Sequence, residues 1–220
     1  MITLYGFNSV IPPVVGETRD LRVQWALEET GLPYRVHGLD FIAGDLSTES
    51  YRRLNPFAQV PALDDDGFVL AESGAMLLYI AEKAGKLIPA DLEGRMQTTR
   101  WCFAALNTLE PAILQVLAID FAGESDPTGQ QRRPAAVGQV ERRLAVLDEW
   151  LSKRDYLSGA EFTVADLLMT MVLREMHKTD ILARYQRLAA YSARCLDRPA
   201  WRRTRELYAA RLGIELARVH

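Results

Sequence analysis

The sequence predicts a small α/β domain followed by an all-helical one. Three observations carry this reading. Strand-like and helix-like segments alternate up to about Ala84. Beyond the connection GKLIPADLEG the strand-like segments stop and helix candidates follow one another. No internal repeat or low-complexity tract appears in either half. At 220 residues the chain has room for one large or two modest domains, and the boundaries read from the pattern are 1–84 and 92–220.

Ile2 to Phe7 reads as the first strand. A long turn containing Pro12, Pro13 and Gly16 follows, where about two to six residues usually join a strand to a helix. Leu21 to Thr30 reads as a helix stopped by Gly31, with Pro33 beyond it. Tyr34 to Leu39 alternates like a second strand, and a polar segment, irregular or helical, follows through Ser50 to Leu54, which gives the order β-α-β-α-β-β-α up to Ala84. VPALDDDGFVLAES reads as a tight hairpin: Pro61 to Leu63 and Phe68 to Ala71 are the strands, and Asp65, Asp66 and Gly67 supply the turn. Ser73 is placed to cap a helix running through Ala84 and closed by Gly85.

In the second half, helices are expected over Arg95 to Asp120, Pro134 to Leu151, Val164 to Lys178, Ile181 to Leu196 and Pro199 to Leu216. Pro111 should kink or interrupt the first of these. Val137, Val140, Leu144, Leu147 and Leu151 form an apolar stripe on the second. TVADLLMTMVL is apolar nearly all round and belongs at the centre of a bundle. Thr163 and Asp166 at its start have the form of a capping box, with Asp in place of Glu.

The net charge of -3 gives no electrostatic reason to expect nucleic acid or an anionic membrane as partner. The basic run RPAWRRTRELYAAR reads as the solvated face of a terminal helix. Cys102 and Cys195 lie in helix-like sequence with no CxxC or disulfide framework, which points to a reducing compartment. The opening MITLYGF lacks the leader pattern, and no apolar run approaches the roughly 18 residues that span a bilayer. A soluble, cytoplasmic protein is expected. His37 has no metal-ligand partner at suitable spacing, and LDDDG lacks the remaining positions of a calcium loop, so no metal is expected.

Two stretches carry the chemistry. In NPFAQVPAL, Pro61 stands at a strand start, where its missing N–H costs no ladder bond; the residues alone favour a trans bond. In ESGAMLLYIAEK, Glu72 and Ser73 stand at a strand-to-helix junction, where free amides and the helix dipole favour an anion.

Together with FTVADLLM in the helical half, and in this order and spacing, these motifs resemble the soluble glutathione transferases over nearly the whole chain. The resemblance implies a thioredoxin-like N-terminal domain, an all-α C-terminal domain and a homodimer. It implies that Pro61 is cis and that the Val60 backbone pairs with the cysteinyl part of glutathione. Glu72 and Ser73 would hold the γ-glutamyl end, and Gln59 would reach the peptide. Thr163 and Asp166 become a structural cap. The implied activity is attack of the glutathione thiolate, with glutathione as co-substrate, on a small electrophile, the chemistry of detoxification. A glutathione-dependent disulfide reductase or peroxidase, or a non-catalytic scaffold, are the alternatives on the same fold.

The opening stretch departs from the family pattern. No SxxxR or cysteine follows the first strand at the usual short distance. Thr18 lies just before the first helix and four residues before Arg22, matching the serine-to-arginine spacing of members that use a serine. Its hydroxyl is the candidate for stabilising the thiolate, with Arg19 adding positive charge. Ser9 and Tyr5, near the end of the first strand, compete for the role, and Thr18 could instead only cap the helix. The turn over 8–17 reads as an insertion bordering the pocket mouth. Trp101 is the tryptophan best suited to touch substrate, although all four read as core or interface first.

Overall fold

In the computed structural model, which describes residues 1–219, the strands β1 (Ile2–Ser9), β2 (Tyr34–Asp40), β3 (Ala62–Asp65) and β4 (Phe68–Leu70) form one sheet in the order β2-β1-β3-β4. β1 runs parallel to β2 and antiparallel to β3, and β3 pairs antiparallel with β4. The parallel pair needs a crossover, supplied by α1 (Asp20–Thr30). Gly31 ends α1 in the left-handed conformation. α2 (Glu49–Leu54) and α3 (Ser73–Ala84) complete the α/β layer.

Side chains alternate across β1. Ile2 and Leu4 are almost fully buried, as is Leu63 opposite Leu4. Tyr5 turns to the other face with its partner Ala62, where Leu39, Tyr51, Leu54 and Val60 gather. Each large aliphatic taken fully out of water contributes about 1.5–3 kcal/mol, so a one-residue slip of β1 would exchange its two faces. The hairpin turn is tighter than expected. Asp65 pairs with Phe68, which leaves Asp66 and Gly67, both at positive φ, as the two-residue turn.

The chain divides into two units: Met1–Ile88 with everything from Asp197 onward, and Pro89–Leu196. The last helix, α9 (Pro199–Leu212), therefore belongs with the sheet, whereas the sequence pattern grouped it into a domain over 92–220. The cause is specific side-chain chemistry on α1. Trp201 packs on Trp25 with ring centroids 5.0 Å apart, both almost fully buried, and Arg198 makes a bidentate bond to Glu29 at 2.6 and 2.8 Å.

In the second unit, α4 (Leu92–Phe103) passes through a π-helical stretch, Ala104–Leu109, into α5 (Glu110–Ala122). Pro111 stands in the first turn of α5; its ring and missing N–H crowd the turn before it, which widens instead of breaking. The rod has no uninterrupted apolar run of membrane-spanning length. Over Leu92–Ser125, however, it is long and apolar enough by length and composition to cross a bilayer, with less than half of its most apolar stretch buried inside the fold. α6 (Pro127–Trp150) begins earlier than the expected Pro134, because Asp126 caps it by accepting the Gly129 N–H at 2.9 Å. Every residue of α7 (Val164–Arg174) is buried. Asp166 Oδ2 accepts the Thr163 N–H and hydroxyl, both at 2.9 Å, while Oδ1 accepts the Leu157 N–H at 2.8 Å and the Tyr191 hydroxyl of α8 (Gln186–Leu196) at 2.9 Å.

Candidate active site

The strand register brings the expected binding residues together. Leu63 pairs with Leu70, so two positions further out Pro61 and Glu72 lie at the same open end of the hairpin. β1 runs antiparallel to β3 with Tyr5 opposite Ala62, so its C-terminal end reaches that same end of the sheet. Gln59, Val60, Pro61, Glu72 and Ser73, and the turn that leaves β1, thus come to one end of the sheet.

The segment before β3 is held by its own side chains. The Gln59 carbonyl accepts from Tyr51 Oη and from Asn55 Nδ2, each at 2.8 Å, while Asn55 Oδ1 accepts the Phe57 N–H at 3.0 Å. Asn55 is buried, so the loop is anchored from inside. Burial raises the Tyr51 phenol above its ordinary value, with Asp20 and Tyr5 adding to the effect, and it remains a donor. The Val60–Pro61 bond is cis, as the resemblance implied and contrary to the preference read from the residues alone.

At the start of α3, the first backbone bond runs from the Met76 N–H to the Glu72 carbonyl at 3.0 Å. The amides of Ser73, Gly74 and Ala75 therefore have no intrahelical partner and lie at the positive end of the helix dipole. Ser73 is buried. Glu72 is exposed, caps nothing with its side chain, and sits at φ 69° and ψ 111°, a sparsely populated region for a non-glycine residue. An exposed carboxylate and free helix-start amides thus stand side by side.

The turn after β1 is organised by α9. Thr18 Oγ1 donates to Tyr208 Oη at 3.1 Å, and Gly16, at φ 81°, donates its N–H to the same oxygen at 3.3 Å. Thr18 is 8% exposed and Tyr208 is fully buried. No side chain caps α1, and the residue at its N-cap is Arg19, so the Thr18 hydroxyl is not used as a helix cap. Arg211 closes the arrangement. Its guanidinium reaches the Phe7 carbonyl at 2.8 Å, Gln24 Oε1 at 2.9 Å and Asp20 Oδ2 at 2.6 Å. A side chain on Gly6 would meet Asp20 Oδ2 at 2.6 Å, so the glycine is what admits the carboxylate.

Ser9 ends β1, its carbonyl accepting the Phe41 N–H at 3.3 Å, at the opposite end of the turn from Thr18. Tyr5 stays on the α2 face, its ring 5.0 Å from that of His37 and 6.2 Å from that of Tyr51. Trp101 packs on Trp150 with centroids 5.2 Å apart and Arg100 over its ring. The Cys102 thiol is pushed up to about 12 by burial, with the Asp166 charge adding to it, which removes it as a nucleophile. Among the described residues no group of three or more His, Cys, Asp or Glu is placed to hold a metal ion.

Sequence reasoning missed Tyr208 and Arg211. Both lie in the basic run read as a solvated face, which holds for Arg202 and Arg203 but not for Arg198 and Arg211. The buried Trp201 in that run was the available signal that one side of α9 faces a core.

Residues 14–82 match the glutathione S-transferase N-terminal domain and residues 109–199 the C-terminal domain. The chain is 31% identical to a glutathione S-transferase of Hyoscyamus muticus over 82% of this chain and 90% of the relative. It is 29% identical to glutathione S-transferase theta-1 of Mus musculus over 76% and 73% of the two chains. Among solved structures, a glutathione transferase of Burkholderia graminis with two glutathione molecules bound per subunit superposes with a TM-score of 0.80 at 28% identity, covering 92% of this chain and 86% of that one. One of Pseudomonas putida with a glutathione disulfide bound per subunit gives 0.79 at 27% identity, covering 92% and 90%. With both halves of the chain matched, the first of them carrying the thioredoxin-like sheet and its cis proline, the protein belongs to the glutathione transferase family.

Proposed function

We propose that the protein binds glutathione at the open end of its sheet and uses the thiolate to attack a small electrophile. The observation that carries this reading is the shared edge of the β3–β4 hairpin. There the cis-Pro61 segment stands beside Glu72 and the uncommitted amides of Ser73, Gly74 and Ala75. Val60, the residue before the cis proline, offers its backbone to the cysteinyl unit. Glu72 meets the γ-glutamyl ammonium, and Ser73 with the helix start meets its carboxylate. Gln59 lies within reach of the peptide.

A free thiol, with a pKa of roughly 8.5, is only a few per cent thiolate at neutral pH. Thr18 is assigned to donate to the sulfur, Arg19 to add positive potential, and Ser9 to remain the rival donor. The thiol proton leaves to water. The sulfur lone pair then forms the new bond to carbon while the leaving group departs with its electron pair. The second reading, glutathione-dependent reduction of a disulfide, is favoured by the Burkholderia and Pseudomonas neighbours, which hold two glutathiones or their disulfide.

The same reading makes the protein a cytoplasmic homodimer serving detoxification. Two buried free thiols fit a reducing compartment. Exposed apolar side chains fit a subunit interface: Phe68 and Val69 on β4, and Met96, Phe103 and Phe121 along α4 and α5. Assaying one preparation against an aryl halide, a peroxide and a mixed disulfide separates the readings. Absence of all three activities, together with no calorimetric signal for glutathione, would refute them.

A further inference from the structure

Tyr208 stands behind the turn that carries Thr18. Its oxygen takes the Gly16 N–H at 3.3 Å and the Thr18 hydroxyl at 3.1 Å, and the Arg211 guanidinium lies 5.2 Å from the centre of its ring. The phenol is fully buried, yet its oxygen meets the turn that carries Thr18. Burial, followed by the Asp20 charge, raises the phenol above its ordinary value, so it keeps its proton throughout the working range of the enzyme.

The proton count at this pair limits what Thr18 can do alone. A threonine hydroxyl has one proton and two lone pairs. While Thr18 donates to Tyr208, that proton is not available to a sulfur anion. Tyr208 has a proton of its own, and at 3.1 Å the same bond works in either direction. If Tyr208 becomes the donor, the Thr18 oxygen is satisfied and its proton is released outward. A hydroxyl that accepts a hydrogen bond also becomes a stronger donor. The Gly16 N–H holds the phenol oxygen in place during the exchange.

We propose that Tyr208 is a positioning residue for the thiolate: when glutathione binds, the Thr18–Tyr208 bond reverses, and Tyr208 donates to Thr18 while Thr18 donates to sulfur. This rests on the assignment of Thr18 as the donor to sulfur. No bond to carbon or sulfur is made or broken in the exchange. Each hydroxyl keeps its proton and only the direction of donation changes. Asp20 and Arg211 are the charged groups that act on the Tyr208 phenol, and they pair with one another at 2.6 Å; Glu17, Arg19 and Arg22 lie on the same turn and helix start. α9 thereby acts on a step carried by residues at the opposite end of the chain, and the long turn becomes the segment that presents Thr18 to Tyr208.

The test follows the ultraviolet absorbance of enzyme-bound thiolate against pH, with glutathione affinity measured by calorimetry. Tyr208→Phe should move the titration midpoint up by about one pH unit, a tenfold loss of thiolate below it, with the dissociation constant for glutathione, measured at a pH below both midpoints, within twofold. In a Thr18→Ala background the same change should move nothing further, because the relay is already cut. Tyr208→3-fluorotyrosine keeps the shape, acidifies the phenol and should move the midpoint down. A fold defect would not produce that opposite sign. If Thr18→Ala shifts the midpoint but neither Tyr208 variant does, the relay is wrong and the Thr18 assignment stands. If Thr18→Ala leaves it unmoved, both fall.

Discussion

Arg211 and Asp20 form an ion pair inside the first unit, Nη2 to Oδ2 at 2.6 Å, with the aspartate fully buried and the arginine side chain 12% exposed. Asp20 opens α1 and Arg211 closes α9, so the pair fastens the last helix of the chain to the first. Removing one partner leaves a buried charge uncompensated, which costs about 3–5 kcal/mol. Arg211→Ala should lose that much in urea unfolding. Adding Asp20→Asn should recover part of it, since the stranded charge is then gone. An additive double variant would show that the pair is not the source of the loss.

Asp65 supplies a pH dependence of known sign. It accepts the Tyr79 hydroxyl at 2.6 Å and a bond from Lys83, and the Lys83 interaction, ahead of the Tyr79 bond, holds its carboxyl below the ordinary 3.8. A depressed folded-state value means that the ionised pairing stabilises the fold above 3.8 and that the contribution is lost as pH falls through the lower, folded value. Asp65→Asn should therefore unfold at lower denaturant than the parent at pH 7, and the gap should close below about pH 4. A gap unchanged between pH 7 and pH 3 would rule out ionisation as its origin.

Much of this arrangement is legible in the sequence, and the limits are physical. Hydrophobic periodicity and the Gly31 and Gly85 stops locate α1 and α3, and the element order puts a helix in the polar segment that becomes α2, because those signals act within a few residues. The helix start at Glu72 and Ser73 is legible because it is a local feature. Long-range contacts leave no such mark. Nothing in the spacing of Thr18 and Tyr208 says that their hydroxyls meet across 190 positions. Arg198 and Arg211 look like any other arginines of a basic run until Glu29 and Asp20 are placed against them. Pro134 looked like a helix start because prolines favour that position; the cap that sets the start, Asp126, lies a further two turns upstream.

Asp166 ties three segments of the second unit with four hydrogen bonds, from Leu157, from Thr163 twice and from Tyr191. Bonds to a charged acceptor contribute about 1.5–3 kcal/mol each when the donors would otherwise be stranded in the interior. Asp166→Ala should cost about 3 kcal/mol or more. Asp166→Asn keeps the size but turns one acceptor into a donor facing donors, so it should recover little of the loss. Thermal unfolding of the two variants checks this. A parent-like midpoint for Asp166→Asn would mean that shape rather than charge holds the segment.

Glu72 separates stability from binding. Its φ of 69° lies in a region that costs a non-glycine residue on the order of 1–3 kcal/mol, and its exposed side chain caps no amide of α3. Glycine adopts that conformation without steric cost but gives the unfolded chain about 0.4–1 kcal/mol of extra entropy to lose. Glu72→Gly should therefore stabilise the fold by roughly 1 kcal/mol. Glu72→Ala, which keeps a Cβ, should not. Both lose the carboxylate assigned to the γ-glutamyl ammonium, and a charge-assisted contact of about 1.5–3 kcal/mol corresponds to tenfold or more in affinity. Calorimetry with glutathione and urea unfolding, run on the same two variants, should thus give opposite signs for Glu72→Gly: weaker binding and a more stable fold. Parent-like affinity in both variants would remove Glu72 from the site, and a destabilised Glu72→Gly would mean that its backbone conformation carries no strain to release.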